Sequence, residues 1–152
     1  MKQLLAVAYI ISIFAIVVPA QETTSAAQPI LFDRLGGNRG ISNIVDDVVD
    51  AHMINPAIKE RFIHFRDQPE RLKLIKQHII EFFTAGSGGP ANYSGKDMVT
   101  THKGMNINSA EFISVVDDIM FVLNKHKIDE ESKKDVLTIL WSMKGMIISN
   151  YE

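Results

Sequence analysis

From Ile41 onward, apolar residues return every third and fourth position in runs cut off by glycine, proline or asparagine. The first run is Ile41, Ile44, Val45, Val48, Val49, His52 and Met53; the second is Leu72, Ile75, His78, Ile79, Phe82 and Phe83. A third takes Phe112, Val115, Val116, Ile119, Met120 and Leu123, and a fourth Val136, Ile139, Leu140, Met143, Met146 and Ile147. That period draws one apolar stripe along an α-helix, and nothing in the chain alternates as a half-buried strand would. The class expected is all-α, with about four long helices and short connectors.

Local signals set the expected boundaries. Ile30 to Leu35 reads as a short turn or helix closed by Gly36 and Gly37. Asn55 and Pro56 end the first long helix and open a short one over Ala57 to Phe62, followed by a polar connection from His64 to Asp67. Asp67 and Glu70, with Pro69 between them, have capping-box spacing. The glycine-rich stretch 85–90 stops the second long helix, and the loop from there to Lys96 is long for a small domain, as loops that shape a site are. Asn108 with Glu111 caps the third, and Asp129 caps the last, roughly Glu130 to Asn150.

The start of the chain follows another logic. Lys2 precedes an apolar run from Leu4 to Val18, and Val18, Pro19 and Ala20 offer a cleavage site before Gln21. Residues 1–20 read as a signal peptide. The run is about 15 residues, short of the roughly 20 that span a bilayer, so cleavage is preferred to a membrane anchor over residues 4–18. Residues 21–29 read as a flexible lead-in, and residues 30–152 as one domain. Export places the domain in the periplasm or outside the cell.

Cleavage removes Lys2 and leaves 15 basic against 18 acidic residues, a net charge of −3. With no basic stripe, nucleic acid is an improbable partner. The chain has no cysteine, which excludes disulfides, a thiolate nucleophile, zinc–thiolate and iron–sulfur sites, and haem attached through thioethers. Paired carboxylates on an apolar face are absent, and the glycines at 86–89 follow a helix instead of opening one, so they form no phosphate cradle.

Histidines carry what chemistry remains. His52 reads as a buried helix histidine bonded to a carbonyl, and His64 and His126 as solvated. His102 lies in KDMVTTHKGMNI (residues 96–107), where a short helix would put Met98, His102 and Met105 on one face. His78 lies on the apolar face of the second long helix. Either histidine can be a core residue satisfied by a carbonyl. Two imidazoles opening into one apolar cleft are costly unless something binds them, and a haem would: a flat apolar ring with a histidine on its iron.

LFDRLGG (31–37), Phe62, EFFTAGSGGP (81–90), NYSGKDM (92–98) and THKGMNI (101–107) stand in the order and separation found in group I truncated haemoglobins, and the chain resembles that family over nearly all of residues 30–152. The resemblance implies a two-over-two helical sandwich around haem b. It implies that His102 is the proximal iron ligand, that Phe62 stacks on the haem, that Phe82, Phe83, Met98, Met105 and Ile107 line the pocket, and that Tyr93 lies near the propionates. Ile75 and Ile79 match distal-helix positions that often carry glutamine or leucine, and Val49 the ligand-pocket position that often carries tyrosine. His78 matches a histidine that ligates iron in some cyanobacterial members, so a bis-histidyl resting state is a candidate.

Three functions follow from that resemblance. The first is reversible binding or transport of a diatomic gas: dioxygen, nitric oxide or carbon monoxide. The second is a haem enzyme, a nitric oxide dioxygenase or peroxidase, which would need an external electron donor because the chain has no flavin or nicotinamide domain. The third, a helical interaction module without haem, is disfavoured by His102 and its apolar surroundings.

Overall fold

The computed structural model describes residues 28–148. The expected signal peptide and the lead-in up to residue 27 lie outside the described residues, as does the expected end of the last helix at Asn150. Every regular element among the described residues is helical, as the periodicity requires. The order is α1 (Leu31–Arg34), α2 (Gly37–Ile54), α3 (Lys59–Phe62), α4 (Pro69–Gly86), α5 (Met98–His102), α6 (Ser109–Lys125), α7 (Glu130–Ser142) and α8 (Lys144–Ile147).

The core lies where α2 meets α4 on one side and α6 on the other, with α6 packed in turn on α7. Helix α2 buries all seven residues of its predicted stripe, Ile41 through Met53. All but His52 meet Phe112, Val116, Ile119 and Leu123 of α6 and Val136 and Leu140 of α7 in one cluster. At about 0.8 kcal/mol per buried methylene, this shared stripe is the main favourable contribution to folding.

Several boundaries differ from expectation. Helix α2 starts at Gly37, earlier than the apolar pattern shows, because Gly36 sits at φ 86° and acts as its N-cap. Only glycine adopts that backbone without strain. The polar connection after α3 is a 3-10 helix, Ile63–Asp67. That winding places Asp67 inside a helical turn, so the N-cap of α4 is Gln68 and no side chain caps it. The Asp67–Glu70 capping box therefore does not form. The box at Asn108 and Glu111 does, with both reciprocal hydrogen bonds present, and Asp129 caps α7 through the Ser132 amide. The last helix is broken at Met143, whose N–H bonds the Leu140 carbonyl three residues back at 3.2 Å. The break separates α8, which packs on α5.

Candidate functional site

Helix α5 is short because the chain cannot continue it. Asp97 caps its start, its carboxylate accepting the Thr100 amide at 2.9 Å. After His102 the backbone turns extended at Lys103, and Gly104 then sits at φ 76°. Met105 consequently leaves the helical face expected for it and is 46% exposed. Met98, His102 and Ile107 stay half-buried, with Met98 and Ile107 packed on the core.

His102 Nδ1 lies 2.8 Å from the Met98 carbonyl oxygen. A carbonyl only accepts, so Nδ1 carries the proton and Nε2 keeps its lone pair. The carbonyl bond of the core-histidine reading is thus present. It is also the bond that orients a ligating imidazole.

Helix α4 buries only Thr84, in contrast to α2. Ile75, His78, Ile79, Phe82 and Phe83 of its apolar face all remain half-buried. Ile79, Phe82 and Phe83 pack against the core with part of their surface left uncovered. Tyr93, from the long loop after α4, lies against this face. Its ring is 5.5 Å from Phe82 and 6.3 Å from His78, edge-on to both, and Phe82 meets Phe83 at 6.1 Å. The Tyr93 hydroxyl donates to the Lys96 carbonyl at 2.7 Å. No hydrogen bond or ring contact among the described residues joins His78 to His102.

Glu81 fixes that loop to α4. Its carboxylate accepts the Ser94 hydroxyl at 2.6 Å and the Ser94 amide at 3.0 Å, and Gln77 Nε2 at 2.9 Å. These bonds, the Ser94 hydroxyl foremost, hold the carboxyl at about 2.

Val49 is buried in α2, and its neighbour Val48 joins Ile79 and Phe83 in lining a closed apolar cavity of about 20 Å³, together with residues of α6 and α7. Val49, Ile75 and Ile79 are hydrocarbon, and all are buried or half-buried.

Phe62 is half-buried at the end of α3, with the His52 ring behind it at 4.8 Å. His52 is buried as expected, but its partner is a carboxylate, not a carbonyl: Nδ1 lies 2.8 Å from Asp118 Oδ2. Asn55 Nδ2 donates to the other oxygen at 2.9 Å. Burial lowers the His52 pKa against the opposing pull of Asp118. His126 also departs from expectation. It is half-buried, with Nε2 2.6 Å from Asp47 Oδ2, and Lys125 reaches the same oxygen at 3.0 Å. The end of α6 brings both side chains back to α2, a tertiary pairing that no spacing in the sequence shows. His64 is exposed, as expected.

Arg61 escapes a reading of the sequence, which shows only a charged residue beside Phe62. Its Nε and Nη2 grip both oxygens of Glu111 at 2.6 and 2.9 Å, and its Nη1 donates to the Met105 carbonyl at 2.7 Å. This guanidinium, foremost among its neighbours, lowers the Glu111 pKa.

The model of the bacterial-like globin family matches residues 30–149. A group 1 truncated haemoglobin of Tetrahymena thermophila is 26% identical over 121 residues, which cover 72% of this chain and 96% of that one. One from Nostoc commune is 24% identical over 121 residues, covering 78% and 97%. The crystal structure of truncated haemoglobin from Tetrahymena pyriformis in its Fe(III) form superposes with a TM-score of 0.72 at 18% identity, covering 80% of this chain and all of that one. The two-over-two helical fold expected from the sequence is therefore the fold observed, and across residues 30–149 the chain belongs to the bacterial-like globin family.

Proposed function

We propose that this protein is an exported globin that binds haem b through His102 and reversibly takes up a diatomic gas. The observation that carries the reading is the 2.8 Å contact of His102 Nδ1 with the Met98 carbonyl, which leaves Nε2 as a preset lone-pair donor. The donor set fits: one imidazole oriented by a carbonyl, the flat rings of Phe62, Phe82 and Phe83, and the half-buried aliphatic Ile75 and Ile79. When bound, haem would supply an iron atom able to take a gas molecule. The protein holds the imidazole in one tautomer, surrounds the ring with hydrocarbon and keeps water away. Val49, Ile75 and Ile79 offer the gas no hydrogen bond, which disfavours tight storage of dioxygen. Export rests on the signal-like residues 1–20.

The test is an absorption spectrum of the purified protein, oxidised and reduced, with and without carbon monoxide. A Soret band that shifts with carbon monoxide is expected, and His102→Ala should lose haem. Retention of haem by His102→Ala would overturn the assignment.

His78 is proposed as a sixth ligand at rest. Its place on the apolar face of α4, beside Ile75 and Ile79, which supply no polar group, supports this. The ferrous protein should then be low-spin and six-coordinate, and His78→Ala five-coordinate. A five-coordinate spectrum in both proteins would remove the sixth-ligand proposal while leaving haem binding intact.

A further inference from the structure

We infer that Arg61 is a positioning residue for the site, a clamp that sets His102 relative to Phe62; the inference rests on the haem reading above. Arg61 stands next to Phe62 on α3 and reaches two other elements. Toward α6 it forms the two-pronged pair with Glu111, Nε to Oε1 at 2.6 Å and Nη2 to Oε2 at 2.9 Å. Toward the loop that leaves His102 it donates from Nη1 to the Met105 carbonyl at 2.7 Å and from Nη2 to the Asn106 carbonyl at 3.4 Å. A planar guanidinium holds its donors in fixed directions, so one side chain fixes the loop, α6 and α3 together.

The loop turns sharply where Arg61 holds it. Gly104 sits at φ 76° and Asn106 at φ 52°, in the left-handed region that glycine and asparagine enter most readily. Between His102 and α6 the chain therefore makes a tight path whose carbonyls point at Arg61. A shift of this loop moves the α5 end that carries His102. The same guanidinium is bonded one residue from Phe62, so the ring and the imidazole are held to a common point. Glu111 serves twice, since it also accepts the Asn108 amide in the capping box at 3.0 Å.

The test compares wild type with Arg61→Ala, Arg61→Lys and Glu111→Gln in the haem-loaded protein. Glutamine keeps the capping bond, because capping boxes accept Glu or Gln, but loses the charge that holds Arg61. Two quantities are read: the rate of haem transfer to an acceptor apoglobin, and the iron–histidine stretching band of the ferrous protein. Arg61→Ala and Glu111→Gln should lose haem at least about tenfold faster, the scale of one lost charge-assisted hydrogen bond. Both should shift the iron–histidine band, and Arg61→Lys should fall between them and wild type. Faster loss with an unmoved band would mean that Arg61 only supports the fold, and would overturn the inference. Unchanged values in folded variants would overturn it as well. If Arg61→Ala does not fold, Glu111→Gln and Arg61→Lys decide by the same criteria. A wild-type protein without a Soret band would instead defeat the haem reading itself, and the clamp with it.

Discussion

The ring of Phe32 packs against Gly89, so close that a Cβ at residue 89 would come within 2.4 Å of the ring's Cδ2. The Phe32 amide also donates to the Ser87 carbonyl at 3.0 Å. Two motifs far apart in the chain, LFDRLGG and GSGGP, are thus one packing unit in which α1 closes over the end of α4. Gly89 has to be glycine because Phe32 of the first motif stands against it.

Glycine-to-alanine changes separate soft from hard contacts. At Gly40 an added Cβ would meet the Leu35 carbonyl oxygen at 2.0 Å, a backbone atom that cannot turn aside. At Gly89 the obstacle is a phenyl ring, which can rotate. Gly89→Ala should cost about 1–3 kcal/mol, the usual range for overpacking, and Gly40→Ala should cost more. Urea denaturation of the two variants checks the order, and equal costs would contradict it.

The helices are legible because their stripes are long: Ile41 to Met53 buries as its spacing predicts, and in α6 Phe112, Val116, Ile119 and Leu123 do so while Val115 and Met120 stay half-buried and Val122 buries beside them. Capping was legible where the chain had no competing turn, as at Asn108 and Asp129, and misleading at Asp67, where a 3-10 helix occupies the cap position. The histidine partners were not legible. Asp118 lies 66 residues from His52 and Asp47 lies 79 from His126, and helix spacing carries no information about pairs made by folding. Arg61 was missed for the same reason. The helical period carries Met105 onto the His102 face only if the helix continues, and the extended backbone at Lys103, followed by Gly104 at φ 76°, stops it first.

His52 should make stability fall with acid. Burial depresses its folded pKa below the usual 6.5, with Asp118 the charged group that faces it. The unfolded chain therefore takes up a proton first as pH drops. Stability from a neutral His52 is complete above about 6.5 and is lost as pH falls below it, at no more than about 1.4 kcal/mol per pH unit for one proton. Urea midpoints at pH 7.5 and 5.5 should differ in wild type and converge in His52→Gln. An unchanged difference would place the sensitivity elsewhere.

Glu81 governs the loop that carries Tyr93. Its carboxyl is held at about 2, against 4.5 in an unperturbed chain, by Ser94 and Gln77. A depressed acid stabilises the fold above the unfolded value, and that contribution disappears as pH falls from about 4.5 toward about 2. The Ser94 amide, bonded to Glu81 at 3.0 Å, reports it directly. Hydrogen exchange at Ser94 should be faster in Glu81→Ala at neutral pH. In wild type its protection should fall below pH 4. Protection that survives the substitution would show that the Tyr93 hydroxyl and its bond to the Lys96 carbonyl suffice to hold the loop.

The hydrocarbon character of the gas side can be reversed at one position. Ile79 is half-buried, lines the closed apolar cavity with Val48 and Phe83, and lies on the same face of α4 as Ile75. Glutamine has nearly the same length and brings an amide N–H. If that donor reaches a polarised ligand, it contributes about 1.5–3 kcal/mol, the value of a hydrogen bond to a charged partner, and dioxygen dissociation slows about tenfold or more. Carbon monoxide is far less polarised, so its dissociation should change little. Stopped-flow ligand replacement on Ile79→Gln and wild type measures both rates. A selective slowing for dioxygen identifies Ile79 as facing the gas. An equal change for both gases would mean that the substitution altered access through the cavity, and no change in either would place Ile79 outside the ligand's reach.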